Sequence, residues 1–428
     1  MSQKNVLVAQ SGGPSPVINA SLLGVVEGCR DFPNCMGRVL AAWHGIEGVL
    51  REQLLDLSGQ PPEEMARLRR TPSTGAIGTC RYKLAPGQTE DFDRILSVFA
   101  AHDIGFFFYI GGNDSMDTAN RISILARERG QDVVCTGVPK TIDNDVGDPE
   151  CKLVDHTPGY GSAARYWAHI IHDADEENRG MSPSECVCVL QAMGRKAGFI
   201  PAASRLADPG RTLPLQIYMA EAGHTLESLA ENVNRQLAES GRCLVVVSEG
   251  FDAGDLGEAH DGFGHIEYGA SRTAAAQRVA GYLNTHGLRV RGQATWQVPG
   301  ILQRSCAAYM SSVDVEEAWA VGRHAVQIAV RDGSGWMATL VRKPGSVYAS
   351  LCDKIALDRV AHSFRPLPAH WISADGLDVT DDFIHYAAPL LGGDPPPVEL
   401  ENGLPRFARL STEQLAPKLA PYVPIRCR

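Results

Sequence analysis

Short apolar runs without polar alternation recur along this chain, each followed by a glycine-rich or polar turn and then a helical pattern. Val6-Leu7-Val8-Ala9 leads into Gly12-Gly13 and a helix expected over residues 17–29. Residues 105–110 lead into Gly111-Gly112 and a helix expected over 116–129. Residues 133–138 run into a polar loop at 139–148, residues 186–191 into a Gly-Arg-Lys turn and helix, and residues 244–247 into Ser248-Glu249-Gly250. Strands whose successive side chains are all apolar are covered on both faces, as in a parallel sheet. Strand, turn and helix in alternation specify a doubly wound α/β fold. In such sheets ligands collect at the carboxyl ends of the strands, which is where the glycine pairs and polar loops fall.

A length of 428 residues suits two or three domains or one large two-lobed α/β unit. The tail from about Pro366 is richer in Pro and Gly and is expected to form an irregular surface appendage. The net charge of −10 argues against a nucleic-acid or anionic-membrane partner. Any phosphate site must then be built locally, from a few Lys and Arg residues, helix N-termini and metal. The eleven cysteines are scattered, and Cys186 and Cys188 stand too close for the usual zinc half-site. Reduced thiols of a cytoplasmic protein are the expectation. Polar Ser2-Gln3-Lys4-Asn5 leads straight into a strand, unlike a signal peptide. The most apolar runs, residues 104–110 and 244–247, are strand-length and too short to span a bilayer.

Three turns carry candidate chemistry. In Ser11-Gly12-Gly13-Pro14-Ser15-Pro16, glycines let backbone N–H groups approach an anion at a helix N-terminus. In Gly111-Gly112-Asn113-Asp114-Ser115, the Asn and Asp oxygens suit Mg²⁺, although Asp114 or Ser115 equally suits an N-cap. The third is Pro139-Lys140-Thr141-Ile142-Asp143-Asn144-Asp145. Phosphoryl transfer needs a carboxylate to accept the acceptor's proton, a cation for the moving phosphate and a metal, and this run sets two carboxylates beside a Lys and a Thr. Asp-Asn-Asp is also turn-prone. Arg81-Tyr82-Lys83 places two cations on a flexible loop, while Met193-Gly194-Arg195 and Glu249 follow strands and Gln303-Arg304 precedes a helix. There is no G-x-x-x-x-G-K-[ST] run, which sets a P-loop aside; residues 159–164 fit a loose dinucleotide pattern but lack a leading strand.

In order and spacing these segments resemble the phosphofructokinase family, specifically its pyrophosphate-dependent branch, from about residue 4 to about residue 342. The resemblance implies two Rossmann-like lobes with mainly parallel sheets and an active site in the cleft between them. It implies a donor lobe at residues 1–150, a sugar-phosphate lobe at 151–305, and returning helices and a strand at 306–365, with the appendage at 366–428. Asp143 is the implied general base, with Lys140 and Thr141 beside it. Asp145 and Asn113 are the implied Mg²⁺ ligands. Gly12, Gly13, Arg81, Asp114 and Lys140 occupy donor-binding positions. Thr141, Ile142, Asp143, Met193, Gly194, Arg195, Glu249, Ile301, Leu302, Gln303 and Arg304 occupy sugar-phosphate positions. ATP-using members carry glycine at the positions of Asp114 and Lys140. A carboxylate at 114 would clash with a nucleotide's α-phosphate and repel it, and a cation at 140 offsets pyrophosphate charge. The implied substrates are pyrophosphate and fructose 6-phosphate, handled by a homodimer or homotetramer.

Four acceptor-side positions depart from the family pattern. Cys186 stands where a cation is usual, Ile301 where Tyr or His is common, and Ala307 and Ala308 where relatives often carry Arg and His. Arg165, Lys196 and Tyr309 are the nearby residues able to compensate. These departures keep two alternatives open: another ketose phosphate such as sedoheptulose 7-phosphate, or a weakly catalytic regulatory paralogue. Asp143 and Asp145 speak against the second. A lipid or dinucleotide kinase would leave the Thr141–Asp145 run and Arg304 unexplained.

Overall fold

The computed structural model describes residues 3–85, 87–257, 259–260, 266, 268–361, 363–395 and 397–428, so Ser2 of the polar leader lies outside it. The eleven longer strands are β1 (Lys4–Gln10), β2 (Met36–Ala42), β3 (Leu54–Asp56), β4 (Ile104–Gly111), β5 (Val134–Pro139), β6 (Val187–Ala192), β7 (Leu215–Tyr218), β8 (Cys243–Ser248), β9 (Ala294–Gln297), β10 (Trp336–Arg342) and β11 (Ser350–Ala356). They form two sheets. The first has the order β11-β10-β5-β4-β1-β2-β3 and the second β7-β8-β6-β9. All pairings in the second sheet are parallel. Only the edge strands β3 and β11 run antiparallel in the first. The expected α/β class with mainly parallel sheets is what the chain forms.

The unbroken apolar runs have a simple cause. Leu7, Ala9, Phe107 and Tyr109 enter the core on one face of the first sheet, and Val6, Val8, Phe108 and Ile110 enter the core on the other. Leu190 and Val246 likewise face one core of the second sheet, while Val189 and Val245 face its other. Covered on both faces, the middle of each of these strands is apolar, and polar residues such as Lys4, Gln10, Gln191 and Ser248 are confined to the strand ends. Consecutive connections leave β1 and β4 as neighbours whose following turns diverge, the arrangement that opens a crevice at the carboxyl edge.

The tail departs from expectation. Leu367, Trp371, Val379, Phe383, Tyr386 and Leu390 are buried in the core of the second lobe, and Asp381–Ala387 is helical. Residues 367–391 are therefore part of the body rather than an appendage. Phe383, Tyr386, Ala387 and Leu390 do stand at helical spacing, but the stretch is short and Pro and Gly flank and interrupt the segment, which is why composition pointed the other way. Further on, Gln414 bridges to Leu55, and Glu52 accepts hydrogen bonds from the backbone N–H groups of Lys418 (2.5 Å) and Leu419 (3.1 Å). The last eighteen residues thus lie along the first lobe. Among the described residues no helix is long and apolar enough to cross a membrane.

Candidate active site

The turns after β1, β4, β5, β6 and β8 converge on one cleft of about 860 Å³. Gly12 has φ +75°, a left-handed conformation that favours glycine, and its N–H donates to the Cys80 carbonyl at 3.0 Å. Thr79 Oγ1 donates to the Gly12 carbonyl at 2.9 Å, tying the first glycine turn to the loop that carries Arg81. That loop is also anchored from below: Tyr82 is buried and its hydroxyl donates to Asp91 at 2.5 Å, so it is not the flexible segment expected. The helix after Gly111-Gly112 begins at Asn113, three residues earlier than expected, which places Asn113 and Asp114 in its first turn. Lys83 Nζ stands 3.0 Å from Asp114 Oδ1.

The turn after β5 crosses between the lobes. The buried Lys140 ammonium donates to the Gly13 carbonyl at 2.5 Å. Thr141 Oγ1 accepts from the Asp143 N–H at 3.1 Å, and Asn144 adopts φ +57°. In the second lobe, Glu249 Oε1 accepts from the Arg195 N–H at 2.9 Å, and Ser248 Oγ donates to the Arg195 carbonyl at 2.9 Å. Buried Gln303 uses Oε1 to accept from both Met193 N–H (3.0 Å) and Trp167 Nε1–H (2.8 Å), so it orients the Met193 turn. Gln303 and Arg304 lie in the short 3-10 turn Gly300–Arg304, and the next α-helix begins only at Ser312. A Cβ added to Gly13 would come within 2.7 Å of the Arg304 guanidinium, so Gly13 lets Arg304 approach the first glycine turn.

Electrostatically the cleft inverts the chain's overall balance. Among the described lining residues, Arg81, Lys83, Lys140, Arg195, Lys196 and Arg304 outnumber Asp114, Asp143, Asp145 and Glu249. Burial, and then the charge of Arg304, pushes Lys140 down to about 7. Burial, followed by the Asp143 charge, pushes Asp145 up to about 6 and Glu249 up to about 7. Each group is therefore poised to gain from a ligand of opposite charge. The buried Asn113 Oδ1 has no hydrogen-bond partner, while its amide donates to the Ser363 carbonyl at 2.5 Å. An orphaned oxygen and a carboxylate destabilised by its neighbour together fit a hard divalent cation. No group of three or more His, Cys, Asp and Glu side chains stands ready for a metal among the described residues. A cation held by one carboxylate, an amide oxygen and substrate phosphates would leave no such group.

Gly12, Gly13, Arg81, Asn113, Asp114, Lys140, Thr141, Ile142, Asp143, Asp145, Met193, Arg195, Glu249, Ile301, Gln303 and Arg304 all line the cleft; Gly194 and Leu302 do not. The acceptor-side departures are only partly relevant to it. Cys186 is buried just before β6, packed beside Gly292 at the strand end away from the cleft, and Ala307 belongs to a core cluster with Val17 and Met310. Arg165 is engaged with the carbonyls of Leu391 (3.3 Å) and Gly392 (3.1 Å), and Tyr309 stacks on His169, so of the three compensating candidates Lys196 alone lines the cleft. Sequence reasoning missed Ser363 and Phe364, which line the cleft from beyond the stretch that carries the resemblance.

The Phosphofructokinase family model matches residues 5–329. The chain is 38% identical over 431 residues to the pyrophosphate–fructose 6-phosphate 1-phosphotransferase of Methylococcus capsulatus, covering 98% of this chain and 99% of the relative. It is 37% identical to the enzyme of the same name from Halomonas elongata, covering 99% of this chain and 100% of the relative. The crystal structure of a pyrophosphate-dependent phosphofructokinase from Nitrosospira multiformis superposes with a TM-score of 0.88 at 36% identity, covering 98% of this chain and 100% of that one.

Proposed function

This chain belongs to the phosphofructokinase family, and from that premise we propose that it transfers a phosphoryl group from pyrophosphate to the C1 hydroxyl of fructose 6-phosphate, releasing orthophosphate. The observation that carries this reading is the donor-side pair of substitutions: Lys140 reaches the first glycine turn, and Asp114 stands on the second, paired with Lys83. A buried cation at that junction meets the charge of pyrophosphate, and the Asp114 carboxylate opposes the longer chain of phosphates in a nucleotide.

Asp143 accepts the C1 hydroxyl proton as that oxygen bonds to the terminal phosphorus and the bridging P–O bond breaks. Lys140 and Arg81 offset charge on the donor and on the group in flight. Gly12 and Gly13 offer backbone N–H groups. Met193, Arg195, Glu249 and Arg304 hold the sugar phosphate, with Thr141 and Ile142 shaping its seat and Ile301 and Gln303 framing it; Gly194 and Leu302 act only through the turns that carry these residues. Mg²⁺, when bound through Asp145 and Asn113, neutralises phosphate charge. One phosphoanhydride is exchanged for one phosphoester without a nucleotide, so the reaction is reversible and serves glycolysis or its reversal in the cytoplasm. Residues 1–150 act as the donor lobe and 151–305 as the acceptor lobe, in a homodimer or homotetramer.

Asp143→Ala tests the chemistry. Turnover falls by about three to five orders of magnitude while calorimetric pyrophosphate affinity stays within about threefold of the parent. A variant that keeps its turnover sinks the base assignment.

A further inference from the structure

Arg365 is fully buried, and its hydrogen bonds go to carbonyl and amide oxygens and one sulfur rather than to a carboxylate. Nε donates to the Asn144 carbonyl at 2.9 Å and Nη2 to Asn144 Oδ1 at 2.7 Å. Nη1 donates to the Val154 carbonyl at 2.5 Å, and the backbone N–H donates to the Asp145 carbonyl at 2.9 Å. Tyr386, from the tail helix, completes the arrangement. Its hydroxyl accepts from Asn144 Nδ2 at 2.9 Å and donates to the Asp155 carbonyl at 2.8 Å.

Asn144 sits between Asp143 and Asp145 in the left-handed region, a conformation that a non-glycine residue keeps only where its surroundings fix it. Both its carbonyl and its side-chain oxygen are held by one planar, five-donor guanidinium, which lysine cannot reproduce. No carboxylate hydrogen-bonds that buried cation, although Asp145 feels its charge, and burial on those terms is costly for fold stability alone.

We infer that Arg365, assisted by Tyr386, is a positioning residue that fixes the backbone between Asp143 and Asp145 and thereby aims both carboxylates into the cleft. The inference rests on the reading of Asp143 and Asp145 as working groups. It also gives residues 363–391 a part in the reaction although most of them lie outside the cleft.

The test compares Arg365→Lys with Arg205→Lys in the full chain. Arg205 is equally buried, but its guanidinium serves Asp208, Asp378 and the Leu215 carbonyl, away from the cleft. With pyrophosphate and fructose 6-phosphate as substrates, Arg365→Lys is expected to lower kcat by about 100-fold with either KM within about threefold. Hydrogen–deuterium exchange over residues 141–147 is expected to accelerate at least about tenfold in the same variant. Arg205→Lys loses comparable thermal stability but keeps kcat within about twofold and parental exchange in that loop. Parental kcat and loop exchange in Arg365→Lys overturn the inference, as do equal losses in both variants. If Arg365→Lys does not fold, Tyr386→Phe carries the test at about three- to tenfold amplitude, and parental values there overturn it equally. Asp143→Asn is run alongside: retained turnover there removes the base assignment, while loop exchange still decides whether Arg365 holds the loop.

Discussion

The Lys140 ammonium donates to the Gly13 carbonyl at 2.5 Å, joining the turn after β5 to the turn after β1 through one buried cation. Removing that cation by Lys140→Met should raise the KM for pyrophosphate and lower kcat by at least about tenfold, since a charge-assisted contact is worth about 1.5–3 kcal/mol. The acceptor KM should change little. Initial-rate kinetics with each substrate varied in turn would check this.

Donor choice is separable from catalysis. The double substitution Asp114→Gly with Lys140→Gly removes both the carboxylate that opposes a nucleotide and the cation suited to pyrophosphate. ATP-dependent turnover should appear where the parent has none, with pyrophosphate use reduced. Absence of any ATP use would count against the steric and charge argument.

Gly13→Ala tests how closely the lobes meet. The added methyl would come within 2.7 Å of the Arg304 guanidinium, the far end of a flexible side chain that can swing aside. Stability should therefore change by less than about 1 kcal/mol, while the KM for fructose 6-phosphate rises severalfold because Arg304 is displaced. A change confined to the pyrophosphate KM would place Arg304 on the wrong substrate.

His156 links the two halves of the core and gives the fold a predictable pH window. Its ring nitrogens stand 2.8 Å from Asp155 and 2.7 Å from Glu317, and Arg342 pairs with Asp155 at 3.0 Å. Burial works against the charged ring, but the Glu317 and Asp155 carboxylates outweigh it and push His156 up to about 10. Free histidine titrates near ~6.5. The stabilisation is therefore complete below that pH and is lost as pH rises through about 10. Burial also opposes the two carboxylates, yet contact with His156 holds both below their ordinary values, so their contribution disappears on acidification. The Tm should be level between about pH 5 and 6.5, decline steadily from there towards about pH 10, and fall again on acidification. His156→Asn should cost about 3–5 kcal/mol and flatten the alkaline limb.

The C-terminal strap bears on the loop that carries Arg81. Asp91 accepts from the Tyr422 hydroxyl at 2.7 Å and from Tyr82 at 2.5 Å, and the Arg426 N–H donates to the Tyr82 hydroxyl at 3.2 Å. Deleting residues 411–428 should raise the pyrophosphate KM at least about fivefold through the freed Arg81 loop, leaving the fructose 6-phosphate KM within about twofold. Equal loss on both substrates would make the strap merely stabilising.

Much of this architecture is legible in the residues. Strands such as β4 and β8 announce themselves because both faces are covered, and a turn such as Gly111-Gly112-Asn113 marks the carboxyl end where ligands gather. The positions of Lys140, Asp143 and Arg304 in one cleft follow from that rule. What sequence did not carry were contacts that depend on chain return. Ser363 and Phe364 reach the site from a segment with no periodic pattern, and Trp371 and Phe383 enter the core between prolines and glycines. Cys186 and Ala307, read as losses from the acceptor pocket, are packing residues, because family spacing gives a position along the chain and not the direction in which its side chain points.

The central claim is a direct phosphoryl transfer from pyrophosphate, and ³¹P NMR of the purified chain with Mg²⁺, fructose 6-phosphate and either pyrophosphate or ATP tests it most directly. The account predicts that pyrophosphate disappears as a C1 phosphoester and orthophosphate grow in equal amounts, with no product from ATP. Bisphosphate formation from ATP at a comparable rate, or orthophosphate from pyrophosphate with no phosphoester, would contradict it.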